Sequence, residues 1–98
     1  MRLMTETLLK RLAEVGEQDI PDPIVVAHFF NPCGSGDWYV TAYCPEDRVI
    51  FGWAEVIPGM GEWGYTSIDE LQSLKGPFGI GIERDLYWKE KRASEAIF

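Results

Sequence analysis

Residues 37–57, DWYVTAYCPEDRVIFGWAEVI, constrain the fold more than any other stretch of the chain. They read as two strands and a tight turn. Trp38, Val40, Ala42 and Cys44 alternate with Tyr39, Thr41 and Tyr43, and β-branched and aromatic residues dominate both runs. Pro45 sets φ for the first corner of the turn, and Glu46-Asp47 form a polar tip. On the return run Val49, Phe51, Trp53, Glu55 and Ile57 share one face; Ile50, Gly52, Ala54 and Val56 share the other. The first strand carries bulk on both faces, which places the hairpin inside a sheet rather than at its edge.

The rest of the chain supplies the partners of this hairpin. Met4, Leu8, Leu12 and Val15 recur at helical spacing, so residues 5–15 are expected to form an amphipathic helix that stops at Gly16. Two prolines make residues 17–23 a linker. IVVAHFF (24–30) reads as a strand with His28 on the face of Ile24, Val26 and Phe30, and the loop NPCGSG leads into the hairpin. Residues 62–66 form a short strand. Ser67 and Glu70 then make a capping box that opens a short helix, with Gly76 as its left-handed terminator. Phe78, Ile80 and Ile82 predict an extended run packed on one side, residues 85–89 a last strand, and residues 89–98 a charged tail or short helix. The expected fold is α+β: one domain over residues 1–98, with an antiparallel sheet of four or five strands built on the central hairpin. The N-terminal helix and the short capped helix are expected to cover one face.

Charge narrows the choice of partner. The net charge is −7. It is concentrated in residues 14–83, where twelve acidic residues face only Arg48 and Lys75, a net of −10. Such a body repels phosphate backbones, which argues against direct nucleic-acid binding and favours a basic protein partner. Charges interrupt residues 1–16 before a signal-peptide core can form, and no apolar run is long enough to span a bilayer. The expectation is therefore a cytoplasmic protein with no membrane association. Cys33 and Cys44 fall far apart along the hairpin and are expected to be free thiols.

The order Trp38-Tyr39, Pro45-Glu46-Asp47, Phe51-Gly52 is followed by Gly64-Tyr65, Ser67, Glu70-Leu71 and Leu74. Gly76-Pro77, Gly79 and Ile82-Glu83-Arg84-Asp85-Leu86 complete the pattern. This order resembles an uncharacterised domain-of-unknown-function family of small bacterial proteins. The resemblance covers roughly the central two-thirds of the chain, and residues 76–86 are its most specific part. It implies a bacterial, plasmid- or phage-borne setting, often beside conjugation or anti-restriction genes. It brings no catalytic or binding residues with it.

Each chemical motif has a simpler structural reading. Gly59, Gly61 and Gly64 match the G-x-G-x-x-G spacing, but no helix opens at the third glycine, so a turn and a bulged strand explain them better than a nucleotide. Glu83-Arg84-Asp85 could be a carboxylate pair steadied by arginine for acid–base work; a polar corner is the favoured reading. His28 reads as a packed strand residue before it reads as a catalyst. The aromatics read as core or as a protein-binding patch. No cofactor and no metal ligand set is indicated, and an enzyme is disfavoured without being excluded.

The function expected from the sequence is a non-enzymatic accessory or protein-binding module of a bacterial mobile element. Two alternatives stand beside it: an anti-restriction or anti-defence factor acting as an acidic DNA mimic, and a small enzyme using the carboxylates near Glu83 and Asp85. Asp37, Glu46, Asp47 and Glu55 are the expected partner-binding residues, because the hairpin would hold them in fixed geometry. Glu83, Arg84 and Asp85 are the expected polar site.

Overall fold

The computed structural model of the chain describes residues 2–98. The first helix, α1 (Glu6–Val15), ends at Gly16, φ 67°, as its sequence predicts, and Thr5 lies just outside it as the N-cap, its Oγ1 accepting from the Leu8 amide. The chain then forms β1 (Ile24–Val25), β2 (Ala27–Phe30), β3 (Asp37–Cys44), β4 (Val49–Glu55) and β5 (Glu62–Ser67). After β5 come α2 (Ile68–Ser73), a 3-10 turn, β6 (Glu83–Arg84), β7 (Lys91–Arg92) and α3 (Ala93–Ala96).

The main sheet is antiparallel with strand order β5-β4-β3-β2-β6, and β1 pairs separately with β7. The central hairpin β3–β4 is therefore flanked on both sides, as its two-faced bulk requires. The core face of the sheet carries Ala27 and Phe29 of β2 and Trp38, Val40 and Ile50 of the hairpin, which pack with Leu12 of α1 and with Ile68 and Leu71 of α2. Phe29 is fully buried, so Phe29→Ala would cost about 3–5 kcal/mol. The fold class is the one expected: α+β, a five-stranded antiparallel sheet with the N-terminal helix and the capped helix on one side.

Five local expectations are corrected. The strand at residues 24–30 breaks at Val26, where the chain changes partners from β7 to β3 and β6. Val25, Val26 and Ala27 are all buried as a result, the two-residue alternation is lost, and His28 does not share a face with Val26. Helix α2 ends at Ser73, short of the expected Leu74 and Lys75, because Leu74 is already extended at ψ 129°. Gly76 is not among the glycines at positive φ; its amide donates to the Ile80 carbonyl instead. The run at residues 78–82 is a tight turn with Phe78 at φ 60° and fully exposed, and only Ile82 is buried. The last strand of the main sheet is Glu83–Arg84 rather than residues 85–89, and it pairs with Phe29 and Phe30.

Between Val40 and Ala42 the β3–β4 register shifts by a β-bulge at Thr41. A bulge leaves one residue outside the ladder and bends its strand. Opposite it, a Cβ on Gly52 would overlap the Tyr39 carbonyl, so the strand can approach this closely only over glycine.

Candidate functional site

The two faces of the sheet differ sharply. The helices bury one. The other carries cross-strand rows of polar and aromatic residues: Glu83, Phe30, Asp37 and Glu55 in one row, and His28, Tyr39, Trp53 and Trp63 in the next. Phe51 and Tyr65 follow, paired across β4 and β5. The rings meet in cross-strand pairs: His28 and Tyr39 stack with centroids 4.7 Å apart, while Trp53 and Trp63 at 5.6 Å and Phe51 and Tyr65 at 4.9 Å meet edge to face. Trp88 tilts over His28 and Tyr39, and Phe98 sets its edge against Trp53.

At one end of this face His28 lies between two carboxylates. Its Nε2 is 2.7 Å from Asp37 Oδ1 and its Nδ1 is 3.1 Å from Asp85 Oδ2. The strand edge positions the second acid, since the Asp85 amide donates to the His28 carbonyl. Partial burial pushes the Asp85 carboxyl upward, but hydrogen bonds from His28 and the Tyr87 amide, with the His28 and Lys91 charges, outweigh it and hold the group below its ordinary value. The Tyr39 phenol is raised by burial first and by the Asp37 and Glu55 charges second. Each ring nitrogen of His28 already faces a carboxylate, so the arrangement fixes the ring instead of leaving a nitrogen to take a substrate proton.

Asp37 and Glu55 are directly opposite on neighbouring strands, a placement that repels unless each acid finds other partners. Both do. Asp37 has His28, while Glu55 accepts from the Trp53 indole N–H at 3.3 Å and from the Gly59 amide at 3.3 Å. Glu83 lies in the same row, one strand beyond Phe30. Arg84 alternates to the helix side, where it donates to the carbonyls of Arg2 and Leu3. The triplet Glu83-Arg84-Asp85 is thus split between the two sides of the sheet.

Glu46 and Asp47 are at the other end of the hairpin, on the rim of a groove of about 950 Å³. Tyr43, Phe51 and Tyr65 supply its aromatic lining, and Cys44 and Val49 lie between them. Glu17 and Asp19 complete the acidic rim from the linker after α1. That second pair of acids was not readable as part of any site. Gln18, between them, brings them there: its side-chain amide donates to the carbonyls of Ile24 at 2.9 Å and Thr41 at 2.7 Å, and it accepts from the Ile24 amide at 2.8 Å. The Thr41 carbonyl is within reach because the bulge turns that residue out of the ladder. A glutamine before two prolines carries no sequence signal of this role.

The acids expected to bind a partner therefore form two groups, one at each end of the hairpin. Asp37 and Glu55 lie with Glu83 and Asp85 at the His28 end, and Glu46 and Asp47 lie with Glu17 and Asp19 at the groove. Arg48, next to the turn, is drawn to Asp69 by three hydrogen bonds of 2.8–3.1 Å and so does not neutralise the rim. Among the described residues, no cluster of three or more histidine, cysteine or acidic side chains has the geometry of a metal site, and no helix is long and apolar enough to cross a membrane. Cys33 and Cys44 are free.

Fold and surface together define an α+β protein with one helix-covered sheet face and one open aromatic face. The chain belongs to the family described as "Protein of unknown function (DUF2958)", whose model matches residues 2–96. No curated protein and no solved structure matches it.

Proposed function

We propose that this chain is a protein-binding module whose contact site is the groove at the turn end of the aromatic face, and that its partner presents a basic segment. One observation carries the reading: aromatic rings and four exposed carboxylates converge on a single groove. Lysine and arginine suit both linings, since their alkyl stems pack on rings and their charged heads lie over ring faces or against carboxylates. An exposed ion pair contributes about 0–1 kcal/mol, and a cation over an exposed ring about 0.5–1 kcal/mol. Useful affinity therefore needs several such contacts along an extended segment, which favours a polypeptide over a small cation.

The same distribution weakens the other readings. A DNA mimic needs free carboxylates in a phosphate-like row, whereas the two acid groups are separated by aromatic rings, and Asp37, Asp85 and Glu55 are engaged by His28, Trp53 and Gly59. An enzyme built on Glu83 and Asp85 would lack the arginine expected between them. An accessory role in the bacterial mobile-element setting implied by the resemblance is compatible with a binding module.

The test is a titration with an arginine- and lysine-rich decapeptide and with its glutamate counterpart, at low and high salt. The basic peptide should bind, weaken as salt screens the rim, and weaken at least ~10-fold in Glu46→Gln/Asp47→Asn with thermal stability unchanged. Equal binding of both peptides, or indifference to salt and to the double substitution, would contradict the proposal.

A further inference from the structure

Strand β5 is an edge of the main sheet, paired with β4 alone, and it runs for six residues. Exposed edges of this length normally carry a device that prevents further pairing: a proline, an inward charge, a bulge or a covering loop. Beyond Glu62 at its first position, which pairs with Ala54 and so lies on the helix side, Glu62-Trp63-Gly64-Tyr65-Thr66-Ser67 carries no proline, charge or bulge. Its register with β4 is unbroken over six pairs, from Glu62 opposite Ala54 to Ser67 opposite Val49. At its middle Gly64 carries no side chain, and a Cβ there would meet nothing within 4 Å, so the sheet face beside the edge is open at this point. Tyr65 is 69% exposed beside this edge and also lines the groove.

We infer that β5 is a docking edge that takes up an extended segment of the partner as a sixth strand. This rests on the groove reading and specifies how the same partner is held. An added strand lies about 4.8 Å beyond β5 and alternates its side chains between the two faces of the sheet. One set falls on the aromatic face beside Trp63 and Tyr65, and basic side chains in that set point toward the acidic rim. The backbone ladder supplies affinity and the alternate side chains supply selectivity, as in other strand-addition complexes. Charge selects the occupant: a second copy of this chain also carries −7, whereas a basic strand is attracted.

The experiment uses three forms of one basic peptide of alternating valine and arginine: unmodified, N-methylated at odd residues, and N-methylated at even residues. N-methylation removes the donors along one edge of a strand and leaves every side chain in place. Strand addition predicts that one methylated form binds like the parent and the other loses at least ~10-fold, about 1.4 kcal/mol. Hydrogen exchange of the β5 amides should slow in the parent complex. Equal binding of both methylated forms, with the parent still bound, overturns strand addition and leaves the groove reading intact. Failure of the parent peptide to bind overturns both. A concentration-dependent dimer that protects the β5 amides without peptide would assign the edge to a second copy and overturn the inference.

Discussion

Gln18 and Thr41, 23 residues apart in the chain, meet at the bulge of β3, where the glutamine side-chain amide donates to the threonine carbonyl across 2.7 Å. This bond joins fold to site. The bulge presents the carbonyl, Gln18 takes it, and Glu17 and Asp19 are thereby set on the rim of the groove. Gln18→Ala removes three hydrogen bonds and leaves partly buried backbone groups without that partner, so it should cost about 1–3 kcal/mol in urea denaturation. It should also weaken the basic peptide, because two of the four rim acids lose their support. Full stability and full binding in this variant would mean that the linker is held by other contacts.

Gly52 is the second requirement of the bulge. Gly52→Ala forces a methyl group against the Tyr39 carbonyl, and either β3 or β4 must shift. A loss of about 1–3 kcal/mol is expected, the range for overpacking at a site that cannot relax. Gly64→Ala is the control: its Cβ has open space, so the change should be nearly neutral. Thermal melts of the two variants, run side by side, decide this. Equal losses would mean that strand propensity rather than the close approach governs Gly52.

Asp85 ties stability to pH. Its carboxyl is held below the ordinary value, which for Asp is about 3.9. A depressed native pKa contributes stability that is fully present above the unfolded value and is lost as pH falls through the native one. Asp85→Asn should therefore be less stable than the parent at about pH 6–7, and the gap should close as pH drops below about 4. Urea denaturation at three pH values measures the gap. A gap that stays constant would show that the carboxylate charge contributes nothing and that shape alone matters.

How much of this was legible in the sequence follows from how local each determinant is. The helix at residues 6–15 was readable because the Met4-Leu8-Leu12-Val15 stripe and Gly16 act within one segment. The central hairpin was readable because alternation and Pro45-Glu46-Asp47 are also local. What failed was non-local. Alternation in twos from Ile24 puts His28 on the face of Val26, but β1 and β2 pair with different strands, and the change of partner at Val26 resets the count. Gly76 was given a left-handed cap on composition, whereas its amide is satisfied by Ile80 through a turn that only the folded chain closes. The groove depends on a bulge and on a glutamine 23 residues away, and neither leaves a pattern in the one-dimensional sequence.

The proposed contact is a basic segment bound where the aromatic lining and the acidic rim converge. The most direct measurement is a two-dimensional 1H–15N NMR titration of the chain with the arginine- and lysine-rich peptide. The predicted result is a contiguous set of shifted amides at residues 17–19, 42–44, 46–47, 51 and 65, with the His28 end of the sheet unchanged. Shifts centred on Asp37, Glu55 and Asp85, or scattered over the acidic surface without regard to the groove, would contradict it.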